Sequence, residues 1–390
     1  MRTCVVYDCL YPWTVGGAER WLRSLCEFLV REGDRVTYLT RKQWPNDSPP
    51  RIPGVHVVAA CGRAPLYDEN DRRSTSEALR FGYGVFSHLI RNRNSYDVVH
   101  VTAAPLFGVI GAWLATVGRG PILFVDWDEA WTRDYWLAYA GPITGRAGWW
   151  IQKICIGLSR RAFIKTELHT RRLLDQGLRG KLVTLTGLYE GGPTAAASDA
   201  ASPPTVLFAG RLIPEKRALA IPEAVAAARE QIPDLQAKIL GEGPDRQSLL
   251  EKIERMGAER FVVAPGFVES AELEELLSSA ACLVLPSSRE GFGIIVVEAA
   301  AHGTPAVLVA GPDNAATEHI REGVNGFVAV NASPENLGDA IVKAIKAGDR
   351  LRGSTHAWFS ENYSRLSVSG SAATVRACHA DAVDAERDNY

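Results

Sequence analysis

Residues 283–309 read LVLPSSREGFGIIVVEAAAHGTPAVLV. Two unbroken apolar runs, Leu283–Leu285 and Ala306–Val309, flank a polar turn and a helix-like stretch. Continuous aliphatic runs, without polar alternation, imply strands buried on both faces of a parallel sheet. A helix joining two such strands is a βαβ unit with a right-handed crossover. The first strand ends at Pro286, and Glu290, Gly291, Phe292 and Gly293 open the helix. Backbone amides at such a start can receive a negative group. Glu290 and Glu298 stand two helical turns apart, which predicts both carboxylates on one side of that helix. Glu298 lies within IIVVEAAA, where a carboxylate needs a partner.

The same pattern extends outward in both directions. TCVVYD, RVTYLT, VHVVAA, DVVHVT, ILFVD, AFIKT and KLVTLT read as strands in the first half, and TVLFAG, AKILG, RFVVAP, CLVLP and PAVLVA in the second. Between them lie amphipathic stretches such as AERWLRSLCEFLVREG, with Leu22, Leu25, Cys26 and Leu29 on one face. Strands alternating with helices predict an α/β chain of doubly wound, Rossmann-like domains. Its 390 residues fit two. Residues 191–204, GGPTAAASDAASPP, have linker composition. The predicted domains are therefore 1–190 and 205–366, facing across a cleft. In such sheets ligands bind beyond the carboxyl ends of the strands, so the residues directly after strands carry the information.

Composition excludes several classes. A net charge of −2 gives no electrostatic case for nucleic acid, which needs clustered Lys and Arg. Seven scattered cysteines, with no C-x-x-C pair, read as buried free thiols in a reducing compartment. No signal peptide and no 18-residue apolar span is visible, so the expectation is a cytoplasmic protein without stable membrane insertion.

Two further turns carry chemistry. After the first strand, Gly16 and Gly17 precede a helix beginning near Ala18. They would let backbone and helix amides approach an anion, the alternative being a tight turn with no ligand. In TVLFAGRLIPEKR, Arg211 and Lys216 follow a strand across a Pro-containing turn. Two fixed cations there suit a diphosphate, Arg by its fork and Lys as a point charge; the alternative is a solvated basic loop.

Taken together, GGAER, GRLIPEK, LGEGP, PGFV, PSSREGFGIIVVEA, GTPAVLV and NGFV resemble, nearly end to end, a family-4 retaining glycosyltransferase of the GT-B fold. The resemblance implies sugar transfer from a nucleotide-diphosphate sugar, of UDP or GDP type, with no metal or other cofactor required. The donor would lie mainly on the second domain and the acceptor on the first. Arg211 and Lys216 would hold the diphosphate, which Gly17 would approach. Glu290 would bind the transferred sugar, with backbone contacts from Gly291, Phe292 and Gly293, and Glu298 would bind the ribose. A C-terminal helix, 367–390, would cross back to the first domain. Alternatives are a GT-B-type nucleotide-sugar epimerase or hydrolase, a non-enzymatic sugar-nucleotide binder, and a peripheral-membrane transferase with a lipid or glycan acceptor.

One segment departs from the family. Where many members read W-H-E-V-W, with the histidine facing the donor sugar, this chain has Trp127, Asp128, Glu129, Ala130 and Trp131. Aspartate can accept a sugar hydroxyl's hydrogen bond, but when ionised it cannot donate one and brings negative charge toward a diphosphate. Either the donor is unusual, for example an amino sugar, or Asp128 acts chemically, or the site is degenerate. An unusual donor would fit specialised small-molecule biosynthesis. Trp127, Glu129, Trp131, Tyr135 and Trp136 would line a pocket for a small-molecule acceptor. Core packing is the alternative, as for Trp149 and Trp150, and shallow membrane binding through Trp with Arg160 and Arg161 is a third.

Overall fold

The structure, a computed structural model, describes residues 1–45, 48–66, 73–118, 120–193 and 200–388. The chain divides into two compact units, Met1–Glu190 with the segment from Ser367 onward, and Gly191–Leu366. Of the predicted linker, 194–199 lie outside the described residues, as do 389 and 390 of the predicted crossing helix.

The first unit contains β1 (Arg2–Val6), α1 (Gly17–Arg31), β2 (Arg35–Arg41), β3 (Val55–Cys61), α2 (Thr75–Arg91), β4 (Val98–Thr102), α3 (Leu106–Thr116), β5 (Ile122–Trp127), α4 (Arg133–Ala140), α5 (Pro142–Leu158), β6 (Arg161–Ile164), α6 (Glu167–Asp175) and β7 (Lys181–Thr184). Its sheet runs in the order β3-β2-β1-β4-β5-β6-β7, with every pairing parallel. All five residues of β4 are buried, as a central strand covered on both faces requires, including the polar His100 and Thr102. Leu22, Leu25, Cys26 and Leu29 bury one face of α1. Truncating one of those leucines to alanine costs about 2–5 kcal/mol.

The second unit contains β8 (Thr205–Ala209), α7 (Ile221–Arg229), β9 (Gln236–Leu240), α8 (Arg246–Arg255), β10 (Val262–Gly266), α9 (Ser270–Ser279), β11 (Cys282–Leu285), β12 (Arg289–Glu290), α10 (Ile294–Ala301), β13 (Ala306–Val309), β14 (Asp313–Asn314), β15 (Gly326–Ala329) and α11 (Pro334–Leu366). The parallel sheet order is β10-β9-β8-β11-β13-β15, and β12 pairs with β14 in a separate short ladder. Helix α11 is interrupted at Gly348, where φ is 53°. The chain then returns to the first unit as α12 (Val368–Arg387), whose Ala372, Val375 and Val383 join the core that α1 lines. Among the described residues, no helix is long and apolar enough to cross a membrane.

Each sheet changes winding direction once near its middle, between β1 and β4 and between β8 and β11. Ligand sites of doubly wound sheets form at the carboxyl ends flanking such switch points. There the first unit places Asp8, Thr102 and the β5 terminus, and the second places Gly210–Lys216 and Pro286–Glu290.

Candidate active site

In the second unit, Arg211 and Lys216 both follow β8, separated by the turn Pro214–Lys216. Arg211 is exposed, and its guanidinium has no side-chain partner among the described residues. Lys216 Nζ donates to Glu290 Oε1 at 2.6 Å, with the two side chains 21% and 7% exposed. Ser287 Oγ donates to the same oxygen at 2.7 Å. The turn carrying Ser287 is fixed in its own right, because Asn314 Nδ2 donates to the carbonyls of Ser287 and Val309 at 3.1 and 2.9 Å. Glu290 is thus a buried, oriented carboxylate whose charge is balanced by a partly exposed lysine.

Glu290 does not lie on the helix with Glu298. It belongs to β12, and α10 begins only at Ile294. The reason is Gly293, whose φ of 77° is left-handed, so the chain cannot run helically through Gly291–Phe292–Gly293. A Cβ there would stand 2.4 Å from the Ala316 Cβ, so both backbone and space demand glycine. His319 Nε2 donates to the Phe292 carbonyl at 2.9 Å and its ring meets Phe292 edge-on at 4.6 Å, pinning the turn. Burial pushes that imidazole down to about 4, against the raising effect of the Phe292 bond, so it is neutral at physiological pH. Glu298 is half-buried on α10, near His302.

In the first unit, Gly16 is extended (φ −168°) and caps α1, which starts at Gly17. A Cβ on Gly17 would meet nothing within 4 Å, so the surrounding protein does not itself require glycine there. The segment 126–128 forms the centre of a polar cluster. Asp126, fully buried, accepts from Trp21 Nε1 at 2.8 Å, from Lys165 Nζ, and from His100 Nε2 at 3.3 Å. Burial alone would raise this carboxyl, yet Lys165 and His100 outweigh it and hold Asp126 well below the usual carboxylate range. His100 Nδ1 meets His379 Nε2 of α12 at 3.3 Å. Burial, then His100, drive His379 well below the usual imidazole value.

Asp128, two residues on, is half-buried and takes part in no hydrogen bond with the described residues. Burial above all pushes its carboxyl up to about 7; Asp126 and Glu19 add to the shift, while Lys165 and Arg73 oppose it. The full negative charge expected from sequence is therefore not fixed at neutral pH. Beside it lie Glu19, 6% exposed, and Arg73, whose Nη1 donates to Asp8 Oδ2 at 2.6 Å. None of Asp8, Glu19, Arg73, Lys165, His100 or His379 was singled out from sequence. Asp8 and Lys165 lie at the ends of the predicted strands TCVVYD and AFIKT; the observed strands β1 and β6 stop earlier, at Val6 and Ile164, which puts both residues just beyond them. Arg73 and His379 leave no sequence signal.

The aromatic segment divides. Trp127 is 1% exposed, with its Nε1 donating to Ser159 Oγ at 3.2 Å. As the last residue of the doubly covered strand β5 it is core, and it is removed from the predicted acceptor pocket. Trp131 is partly buried, with Tyr135, Trp136 and Tyr139 around it at ring separations of 4.7, 4.7 and 5.1 Å. Glu129 Oε2 accepts from Trp131 Nε1 at 2.9 Å, and Gln152 Oε1 accepts from Trp136 Nε1 at 2.9 Å. Trp136 lies over Gly148 of α5, so this ring closes a packing contact. Trp150, by contrast, is 64% exposed rather than core. Among the described residues, no three His, Cys, Asp or Glu side chains gather as metal ligands do.

Residues 16–188 match the family described as glycosyl transferase 4-like domain, and residues 196–358 match glycosyl transferases group 1. The chain belongs to the family-4 GT-B glycosyltransferases. It is similar to an alpha-D-kanosaminyltransferase of Streptomyces kanamyceticus, 30% identical over 142 residues. That match covers only 36% of each chain. In fold, this glycosyltransferase is similar to sucrose-phosphate synthase from Thermosynechococcus elongatus, with a TM-score of 0.80, 16% identity, and coverage of 98% and 99% of the two chains. It is also similar to HepE of Anabaena solved in complex with UDP, with a TM-score of 0.69, 19% identity, and coverage of 98% and 100%.

Proposed function

We propose that this glycosyltransferase moves a sugar from a nucleotide-diphosphate sugar to a small-molecule acceptor with retention of anomeric configuration and without a required metal. The observation that carries the reading is the pair of cations after β8. Arg211 is exposed with an uncommitted guanidinium, and Lys216 is anchored on Glu290 at 2.6 Å. Five guanidinium donors and an ammonium at a switch point match the oxygens of a diphosphate. Gly16 and Gly17 offer amides at the start of α1, and the open space at Gly17 is what a close phosphate contact needs. Glu290 accepts from hydroxyls of the transferred sugar while the Gly291, Phe292 and Gly293 turn supplies backbone contacts, and Glu298 accepts from the ribose. Glu129, Trp131 and Tyr135, with the edge of Trp136, serve the acceptor.

In the step, the bond from the anomeric carbon to the phosphate oxygen breaks, and its electron pair leaves with the nucleoside diphosphate. A new bond to the acceptor oxygen forms on the same face. The acceptor's proton passes to the departing phosphate, whose charge Arg211 and Lys216 stabilise. Incubation with a panel of UDP and GDP sugars, with and without candidate acceptors, and mass spectrometry of the products tests this. Acceptor-dependent glycosylated product is expected. Free sugar or a rearranged nucleotide as the only product overturns it in favour of a hydrolase or epimerase.

A further inference from the structure

Aspartate in the usual histidine position raises a problem of hydrogen-bond polarity, and the neighbouring side chains answer it. Two carboxyl groups stand two residues apart at the end of β5, and their surroundings are opposite. Asp126 accepts from three donors: the Lys165 ammonium, the Trp21 indole and the His100 ring. An ionised carboxylate in a buried site needs such donors. Asp128 receives no hydrogen bond from any described residue. Lys165, the lysine that acts on both carboxyls, is already committed to Asp126, with side-chain exposures of 2% and 0%. Of the remaining charged groups facing Asp128, Arg73 is bonded to Asp8, and Glu19 on α1 is a further buried acid. Of the two carboxyls, Asp126 is the one whose surroundings support a negative charge, and Asp128 is the one whose surroundings do not.

We infer that Asp128 works as a neutral carboxylic acid whose O–H donates to an oxygen of the sugar substrate, and that Asp126 and Lys165 are positioning residues that keep the proton there. The inference rests on the transferase reading above. A neutral acid both donates and accepts, as a neutral imidazole does, and it brings no charge toward a diphosphate. Keeping a carboxyl protonated near pH 7 so that it can donate has precedent in apolar and acid-flanked sites. The rise of the Asp128 carboxyl to about 7, caused first by burial, agrees with this assignment. The aspartate then substitutes for histidine in function, without a change of donor charge, and the transferase gains a descending alkaline limb near neutrality.

Two measurements test this separately. Infrared difference spectra of the ligand-free protein, wild type against Asp128→Asn, read the carboxyl directly. A protonated-acid carbonyl band at pH 6 that vanishes with a midpoint near pH 7 is expected, absent in the variant. Asp128 already ionised at pH 6 overturns the inference whatever the enzyme transfers. In the transfer assay, kcat/KM should fall about tenfold per pH unit above the midpoint. Asp128→Asn, whose amide donates at every pH, should lose that limb and exceed the wild type severalfold at pH 8.5. Asp126→Asn should move the limb to lower pH, because it removes the adjacent charge and frees Lys165 to face Asp128; an unmoved limb in a folded Asp126→Asn overturns the positioning role. Absence of transfer from any nucleotide sugar refutes the functional reading instead, and leaves the infrared titration standing.

Discussion

Lys165–Asp126 in the first unit and Lys216–Glu290 in the second are both lysine–carboxylate pairs at the carboxyl-end side of similar sheets. Their burial differs. The first pair is 2% and 0% exposed and shares a network with Trp21, His100 and His379. The second is 21% and 7% exposed, on turns carried by Pro214 and Ser287. A closed pair is a fixed charge distribution, useful for what it does to its neighbour Asp128. An open pair can exchange part of its bonding for a ligand. Depth, more than residue identity, decides which pair shapes a field and which handles substrate.

The largest effect should separate the pairs by stability. Lys165→Met leaves Asp126 buried without its cation and should cost about 3–5 kcal/mol in chemical denaturation. Lys216→Met should cost about 1 kcal/mol or less, since its pair is partly solvated. Equal losses would erase the distinction. Next in size is ligand affinity. Arg211→Ala and Lys216→Ala each remove a charge-assisted contact of about 1.5–3 kcal/mol. Calorimetric titration should therefore show nucleoside diphosphate binding weakened roughly ten- to hundredfold.

The pH dependence of stability sharpens the comparison further. An unfolded aspartate titrates near 4, while native Asp128 titrates at about 7. Between those values the native state holds a proton that the unfolded state has lost. Asp128 thus contributes stability that is full below about pH 4 and is lost as pH rises through about 7. Asp128→Asn should flatten that decline, measured as melting temperature across pH 4–8; a parallel decline in both proteins would contradict the raised value. Smallest is the contrast of two glycines. Gly293→Ala meets a left-handed φ of 77° and the Ala316 Cβ at 2.4 Å, and should destabilise by about 1–3 kcal/mol. Gly17→Ala meets nothing within 4 Å, so stability should change by less than about 1 kcal/mol while the donor KM rises.

The sheets were legible in sequence because central parallel strands are apolar on both faces, as CLVL and AVLV show. Helix α1 was legible from the period of Leu22, Leu25, Cys26 and Leu29. The placement of Glu290 was misread because helical spacing was carried through a turn that Gly293 breaks. Trp127 was misread because its neighbours are polar, although its own strand is covered on both sides. The first-unit cluster escaped because Asp8, Glu19, Arg73, Asp126, Lys165 and His379 come from segments far apart in the chain. Only the strand order β1-β4-β5-β6 and the return of α12 bring them together. What pairing could not be read from spacing also decided which carboxylate keeps its proton.

The central claim is that the open cations after β8 hold the diphosphate of a sugar donor. Calorimetric titration of the intact protein with nucleoside diphosphate and nucleoside monophosphate, in the wild type, Arg211→Ala and Lys216→Ala, tests it most directly. The account predicts a clear preference for the diphosphate in the wild type that collapses in both variants. Diphosphate affinity and preference unchanged in both variants would contradict it.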